Sequence, residues 1–164
     1  MAESLMTETS LSIQLRPASA EEYALCVQLL HSADEDDNRI RAAMDDPTNT
    51  TYLAYDGTRA VGAAMLRWDA AEAELVYIGV AEAAQGRGIG KQMVAALTAQ
   101  VRLRNIAALV VGTANSSIDN IIFYQKCGFR MDHVRRDYFS YLPQPVVENG
   151  IPMRDMIVFR LVLD

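Results

Sequence analysis

The sequence predicts a single α/β domain, a mixed and mainly antiparallel sheet flanked by helices, and three observations lead there. Residues 74–112 run from an apolar strand through a glycine-rich turn and an amphipathic helix into a second apolar strand, the pattern of a parallel, right-handed crossover. Upstream, two strand-like runs flank Asp56-Gly57, a strong hairpin signal, so antiparallel pairing should surround the parallel unit. The third observation is size: 164 residues, about half of them apolar, suffice for one core that buries roughly two thirds of its unfolded surface, and no second domain is needed.

Taken in order, residues 1–10 are polar and are expected to be a flexible N-terminus, and the domain should occupy 11–164. Ser12 to Arg16 alternates polar and apolar residues and stops at Pro17, as a first strand would. Ser19 with Glu22 three residues on reads as a capping box, and Tyr23, Val27 and Leu30 follow at helical spacing. Asp34-Glu35-Asp36-Asp37 opens a second short helix, its acids complementing the helix dipole; the run is either a solvated helix start or a receiver for a cationic substrate. Thr51–Tyr55 and Ala60–Trp68 form the hairpin. Glu74–Val80 is next, and its apolar half Val76-Tyr77-Ile78-Gly79-Val80 predicts a central strand covered on both faces, with Gly79 marking a bulge or a close approach of another backbone.

After the turn, Ile89, Met93, Leu97 and Val101 recur every four residues with Val94 on the same face, predicting a helix that ends near Arg104-Asn105. Ala107–Gly112 is a buried strand. Asn115-Ser116-Ser117 supplies caps for a helix through Asn120, Phe123 and Tyr124, with Gly128 at its C′ position. The last strands start at Phe129 and span Arg154–Leu163, separated by an irregular connection through Pro143, Pro145, Gly150 and Pro152.

The turn Gln85-Gly86-Arg87-Gly88-Ile89-Gly90-Lys91 carries the functional signal. Glycines at 86, 88 and 90 permit positive φ and remove Cβ atoms, so successive N–H groups can close around an anion at a helix N-terminus. It is neither of two familiar loops. A Walker A loop needs four residues before Gly-Lys and Ser or Thr after it, whereas three lie between Gly86 and Gly90 and Gln92 follows Lys91. A dinucleotide fingerprint needs Gly-x-Gly-x-x-Gly, and here Gly90 comes one residue early. The net charge of −6 argues against nucleic acid, while Arg87 and Lys91 keep the turn itself locally positive for a small phosphate ligand.

No apolar stretch reaches membrane-spanning length, and residues 1–10 lack the basic and apolar regions of a secretion signal, so a cytoplasmic location is expected. Cys26 and Cys127 lie far apart, without metal-ligand spacing, and read as buried thiols; His31 and His133 likewise have no ligand partners at suitable spacing, so no metal is expected.

Taken together, Gln85-x-x-Gly88-x-Gly90, its flanking strand and helix, and Phe123-Tyr124-Gln125-Lys126-Cys127-Gly128-Phe129 one helix and one strand later resemble the two signatures of the GNAT family of acyl-CoA-dependent N-acyltransferases. The resemblance covers about Leu11 to Asp164 and is firmest from Glu74 to Phe129. Asn115-Ser116-Ser117-Ile118 and Glu148-Asn149-Gly150 also resemble a bacterial subgroup. Many relatives carry Asn about seven residues before the tyrosine, where this chain has Ser117; Asn115 is the candidate for a pantetheine or helix-capping contact.

The resemblance implies a six- to seven-stranded sheet that binds acetyl-CoA at Gln85, Gly86, Arg87, Gly88, Ile89, Gly90 and Lys91. Pantetheine would enter beside Ile78, Gly79 and Val80, where the central strand and its parallel neighbour part. An acetyl group would pass to a primary amine of a small molecule or peptide, by direct attack through a tetrahedral intermediate. Because an alkylamine with pKa about 10 is only about a thousandth neutral at pH 7, a base is useful. Glu74, eleven residues before Gln85 and pointing the same way as Glu72, is the candidate, with ordered water as the other option. Tyr124, a phenol that stays protonated at neutral pH, is the candidate acid for the leaving thiolate and a coenzyme contact. Asp137-Tyr138-Phe139 and Tyr141 either wall an acceptor pocket or simply pack a strand, and Arg135 and Arg136 read as a solvated pair. The alternative function is a non-catalytic acyl-CoA sensor or interaction module. Exposed C-terminal strands leave room for a homodimer.

Overall fold

The computed structural model describes residues 13–164, so the expectations for residues 1–10 and for Ser12 lie outside the described residues. Strand β1 (Gln14–Pro17) pairs antiparallel with β2 (Asn49–Asp56), which turns at Asp56-Gly57 into β3 (Arg59–Trp68). Gly57 takes φ 60°, as this tight turn requires. β4 (Ala73–Val80) follows antiparallel to β3. A seven-stranded sheet in the order β1-β2-β3-β4-β5-β9-β6 results, with β5 at Ala108–Ala114, β6 at Arg130–Arg135 and β9 at Met156–Val162. Only the β4–β5 pair is parallel, joined by helix α3 (Ile89–Leu103) as the crossover.

Helices cover both faces. On one side, a 3₁₀ turn at Ala20–Glu22 leads into α1 (Tyr23–Leu30), followed by α2 (Asp37–Asp45). The Glu22 carboxylate accepts the Ser19 N–H at 2.9 Å, as the capping-box spacing anticipated. Asp36 caps α2, accepting the N–H groups of Asn38 and Arg39. Here Cys26, Val27, Leu30 and Ile40 bury against Leu53, Ala63 and Met65. On the other face α3 presents Ile89, Met93, Val94, Leu97 and Val101, all buried, to Val61, Leu66, Leu75 and Leu109. Helix α4 (Ile118–Lys126) lies on the same face and ends at Gly128, whose φ of 94° fits the C′ position.

Two features of β4 position the site. First, its register against β3 slips: Tyr77 lies opposite Met65 and Leu75 opposite Leu66, so Val76 is the extra residue of a bulge. The alternation therefore reverses there. Leu75, Ile78 and Val80 face α3, whereas Val76 and Tyr77 both pack toward α1. Second, Gly79 lets α1 approach so closely that a Cβ would collide with the Leu29 carbonyl oxygen and come within 3.1 Å of its carbon. Of the two readings of Gly79 from sequence, the close approach of another backbone is what is found, the bulge lying three residues earlier at Val76.

The connection expected to be irregular between residues 143 and 152 contains a small hairpin, β7 (Val147–Glu148) with β8 (Ile151–Pro152). Asn149 and Gly150, at φ 53° and 72°, make its turn, an Asn-Gly signal that the surrounding prolines mask. Tyr138–Tyr141, read as part of a strand, is instead a 3₁₀ turn in which the Tyr138 ring packs edgewise on Phe139 and Tyr141.

Candidate active site

The parallel pairing of β4 with β5 lasts only three residues, Ala73–Leu75 against Leu109–Val111. Beyond it β5 stays paired with β9 through Ala114, and β4 stays paired with β3 through Val80, so the two strands part into a fork. Main-chain direction along β4 follows from one bond. Ala81 donates its N–H to Val61, so alternation turns Gly79 toward β3 and turns the N–H and C=O groups of Ile78 and Val80 into the fork. Those are the two residues expected to meet pantetheine, and an added strand-like ligand would find both main-chain groups of Ile78 and the N–H of Val80 unpaired there. The Gln85 side chain donates to the Val80 carbonyl at 3.2 Å, tying the glycine loop to the tip of the strand.

In the loop, Gly86 and Gly88 adopt φ 76° and 75°, with Gly88 as the N-cap of α3. Gly90 serves differently: a Cβ there would press within 3.3 Å of the Phe123 ring. None of the N–H groups from Gly86 through Lys91 takes part in the hydrogen bonds of the described residues, the next donor being Gln92 to the Gly88 carbonyl. Consecutive free donors at a helix N-terminus form an anion cradle. A cavity of about 430 Å³ opens on them, lined also by Phe123, Lys126 and Cys127 of the α4 end. Arg87 is turned outward, its guanidinium 3.2 Å from Asp56, which leaves Lys91 and Lys126 as the cations facing the cavity.

Helix α4 brings Tyr124 to the same face. Its ring is 5% exposed, packed 5.2 Å from Phe123, 5.7 Å from Phe129 and 6.0 Å from Phe159, centroid to centroid. Burial raises the phenol pKa above its ordinary value. Tyr124 therefore holds its proton at any physiological pH, though it stands behind Phe123 and Cys127 rather than on the wall of the loop cavity.

Glu74 lies on the opposite sheet face, before the bulge. Its Oε2 accepts from Arg67 at 2.9 Å, and with Glu72 it lines a second cavity of about 290 Å³ that reaches Val111 and Gly112 where the fork opens. The expectation that Glu72 and Glu74 point the same way is met. Tyr77 projects to this face too and donates to Asp34 at 3.0 Å. Burial alone would raise the Asp34 carboxyl, but hydrogen bonds from Arg39, the Asp36 N–H and Tyr77 together hold it below its usual value. Asp34 of the acidic run is thus held internally: it takes the Arg39 fork at 2.7 and 2.9 Å, and Arg39 stacks 5.5 Å from the Tyr141 ring.

Two readings need correcting. The side chain of Asn115 does not cap α4; its carbonyl oxygen accepts the N–H groups of Arg154 and Asp155 and its amide donates to Pro152, because the 152–155 segment folds back over the end of β5. Only a second amide hydrogen is left for any ligand. Cys127 is half-buried on the wall of the loop cavity rather than a core thiol like Cys26. Arg135 and Arg136 are both exposed, as a solvated pair would be, and Arg135 also lines the Glu74 cavity. Phe123, Lys126 and Cys127 escaped notice as cavity residues, although their i, i+3, i+4 spacing on α4 places them on one helix face.

A loop of free main-chain donors beside a forked parallel strand pair defines a site for a phosphate-bearing, strand-like ligand. Comparison with known proteins gives the class: the model of the acetyltransferase (GNAT) family matches residues 15–129, and the chain belongs to that family. It is 36% identical over 115 residues, 69% of this chain and 73% of the relative, to the uncharacterized N-acetyltransferase YvbK of Bacillus subtilis strain 168. A GNAT family acetyltransferase of Elizabethkingia anophelis with acetyl-CoA bound superposes with a TM-score of 0.82 at 33% identity, covering 92% of this chain and 98% of that one. A Bacillus subtilis acetyltransferase in complex with CoA does so with a TM-score of 0.82 at 31% identity, over 94% and 99% of the two chains. Acetyl transfer is the family's reaction. Among the described residues no helix is long and apolar enough to cross a membrane.

Proposed function

We propose that this chain transfers an acetyl group from acetyl-CoA to a primary amine of a small molecule or peptide. The observation that carries the reading is the junction of the free N–H run at Gly86–Lys91 with the outward main-chain groups of Ile78 and Val80, one suited to a diphosphate and the other to pantetheine amides. Acetyl-CoA supplies the acetyl group as an activated thioester. Lys91 and Lys126 add positive charge to the diphosphate end, and a main-chain donor of β4 already in place stabilises charge that develops on the carbonyl oxygen.

Glu74 is assigned the base. Its Oε1 is left open while Oε2 is held by Arg67, so one oxygen can take a proton from the acceptor ammonium. The neutral amine attacks the carbonyl carbon directly; a C–N bond forms, the C–S bond breaks and no acyl-enzyme is required. Tyr124 is assigned the acid that returns a proton to the leaving thiolate, and burial keeps the phenol protonated until then. A cytoplasmic setting, and a homodimer through the fully exposed strand β6, belong to the same proposal.

Release of thiol from acetyl-CoA on addition of primary amines is the test. Amine-dependent release with acetylated product is expected. Tight acetyl-CoA binding with no release under any amine would replace the enzyme by an acyl-CoA-binding sensor.

A further inference from the structure

The cavity that contains Glu74 is unevenly charged. Five ionised side chains line it: Arg67, Arg135, Asp69, Glu72 and Glu74. Most of that charge is already matched, since Arg67 pairs with Glu74 at 2.9 Å and Arg160 with Glu72 at 2.6 Å. What remains is one cation and one anion. Arg135 has no ion-pair partner among the described residues, and Asp69 accepts only the Ala71 N–H at 3.0 Å. Arg135 comes from the edge strand β6 and Glu74 from β4, which stand three strand spacings apart, about 14 Å between backbones. Their side chains approach across the floor made by Val110, Gly112 and Val158, leaving a space between them that suits a small molecule.

Gly112 is what gives that floor its depth. A Cβ at this position would occupy the place of the Met156 sulfur, so the thioether lies flat on the strand at the point where β4 and β5 part. The two ends of the cavity thus differ in kind. One end, at Glu74, adjoins the fork into which Ile78 and Val80 direct their main chain; the other, at Arg135, offers a planar guanidinium with no partner.

We propose that the acceptor is a zwitterion, an amine that also carries a carboxylate, seated with its amine at Glu74 and its carboxylate on Arg135. This rests on the acetyl-transfer reading and narrows it: plain alkylamines and polyamines, which the acidic run at Asp34–Asp37 invites, leave Arg135 unpaired, and Asp34 of that run is already held by Arg39 and Tyr77. Arg135 is a specificity-determining residue that acts on acceptor binding, with no part in the bond changes.

Two matched series test this with the full chain and acetyl-CoA, by thiol release: ω-amino acids of three to six carbons and lysine, against the same amines lacking the carboxylate and against their methyl esters. At least one amino acid should exceed its decarboxylated partner about tenfold in kcat/KM, as expected for one charge-assisted pair. Arg135→Gln should collapse that ratio toward one, through KM for the acid more than through kcat, and Arg135→Lys should restore part of it. Since Arg135 is exposed on an edge strand, both variants should fold, which a melting curve checks. Release confined to plain amines or polyamines, or a carboxylate preference that survives Arg135→Gln, overturns the zwitterion assignment and leaves acetyl transfer standing. No release with either series overturns the zwitterion assignment, and no release with peptide amines as well overturns acetyl transfer too.

Discussion

Replacing Gly79 by alanine probes how the fork is held open. The new methyl group would meet the main chain of Leu29, its carbonyl oxygen first and its carbon at 3.1 Å, and main chain cannot swing aside as a side chain can. Overpacking of this kind costs about 1–3 kcal/mol, and a backbone obstacle belongs at the upper end. The lower entropy of the unfolded alanine chain offsets about 0.4–1 kcal/mol of that. A net loss of about 2 kcal/mol corresponds to a fall in Tm of about 4–8 °C for a domain of this size. Because Gly79 sits between Ile78 and Val80, pushing it off α1 also moves the groups that face the fork, so acetyl-CoA affinity should fall with stability. Thermal unfolding with and without acetyl-CoA reads both effects, and Leu29→Ala should not relieve them, since the obstacle is not the leucine side chain. A Gly79→Ala protein that melts within about 1 °C of the parent and binds acetyl-CoA equally well would refute the close seating of α1 on β4.

Tyr124→Phe should retain acetyl-CoA binding while turnover falls at least about tenfold, as loss of a general acid does; undiminished turnover in steady-state assays removes the tyrosine from the chemistry. Glu74→Gln should lower kcat and shift the acid limb of its pH profile, and an unchanged profile would leave the amine proton to water. The Glu22 carboxyl is held down to about 2, chiefly by the Arg16 guanidinium and then by the Ser19 N–H. Its folded value lies below the unfolded value of about 4.5, so its stabilisation is present above pH 4.5 and disappears as pH falls toward 2. Glu22→Gln should therefore flatten the loss of Tm across that window, measured in a pH series; an acid limb identical to that of the parent would contradict it.

Much of the fold was legible because its signals are local. The Asp56-Gly57 hairpin, the four-residue spacing from Ile89 to Val101 and the apolar runs of β4 and β5 each follow from a turn preference or a period carried by neighbouring residues. The glycine loop was legible for the same reason, with Gly86 and Gly88 needed for positive φ. Other features depend on partners distant in sequence. Nothing in Leu75-Val76-Tyr77 announces a bulge, since both alternations are apolar, yet the slip decides which residues face the fork. Asn115 resembles a helix cap until the 152–155 segment, some forty residues on, arrives to occupy it. Arg135 is an ordinary edge-strand arginine until two intervening strands, β5 and β9, place it across a cavity from Glu74. Lys126 was visible only as a middle residue of a signature, and its charge acquires a role because α4 docks beside the loop.

Amide hydrogen exchange on addition of acetyl-CoA addresses the central claim most directly, because the donors in question are main-chain groups that no side-chain substitution short of proline removes. The expected result is protection concentrated at Gly86–Lys91, with a second cluster at Ile78 and Val80 and little change at β1 or β2. Unchanged exchange at the glycine loop at saturating acetyl-CoA, or protection confined to other parts of the sheet, would contradict it.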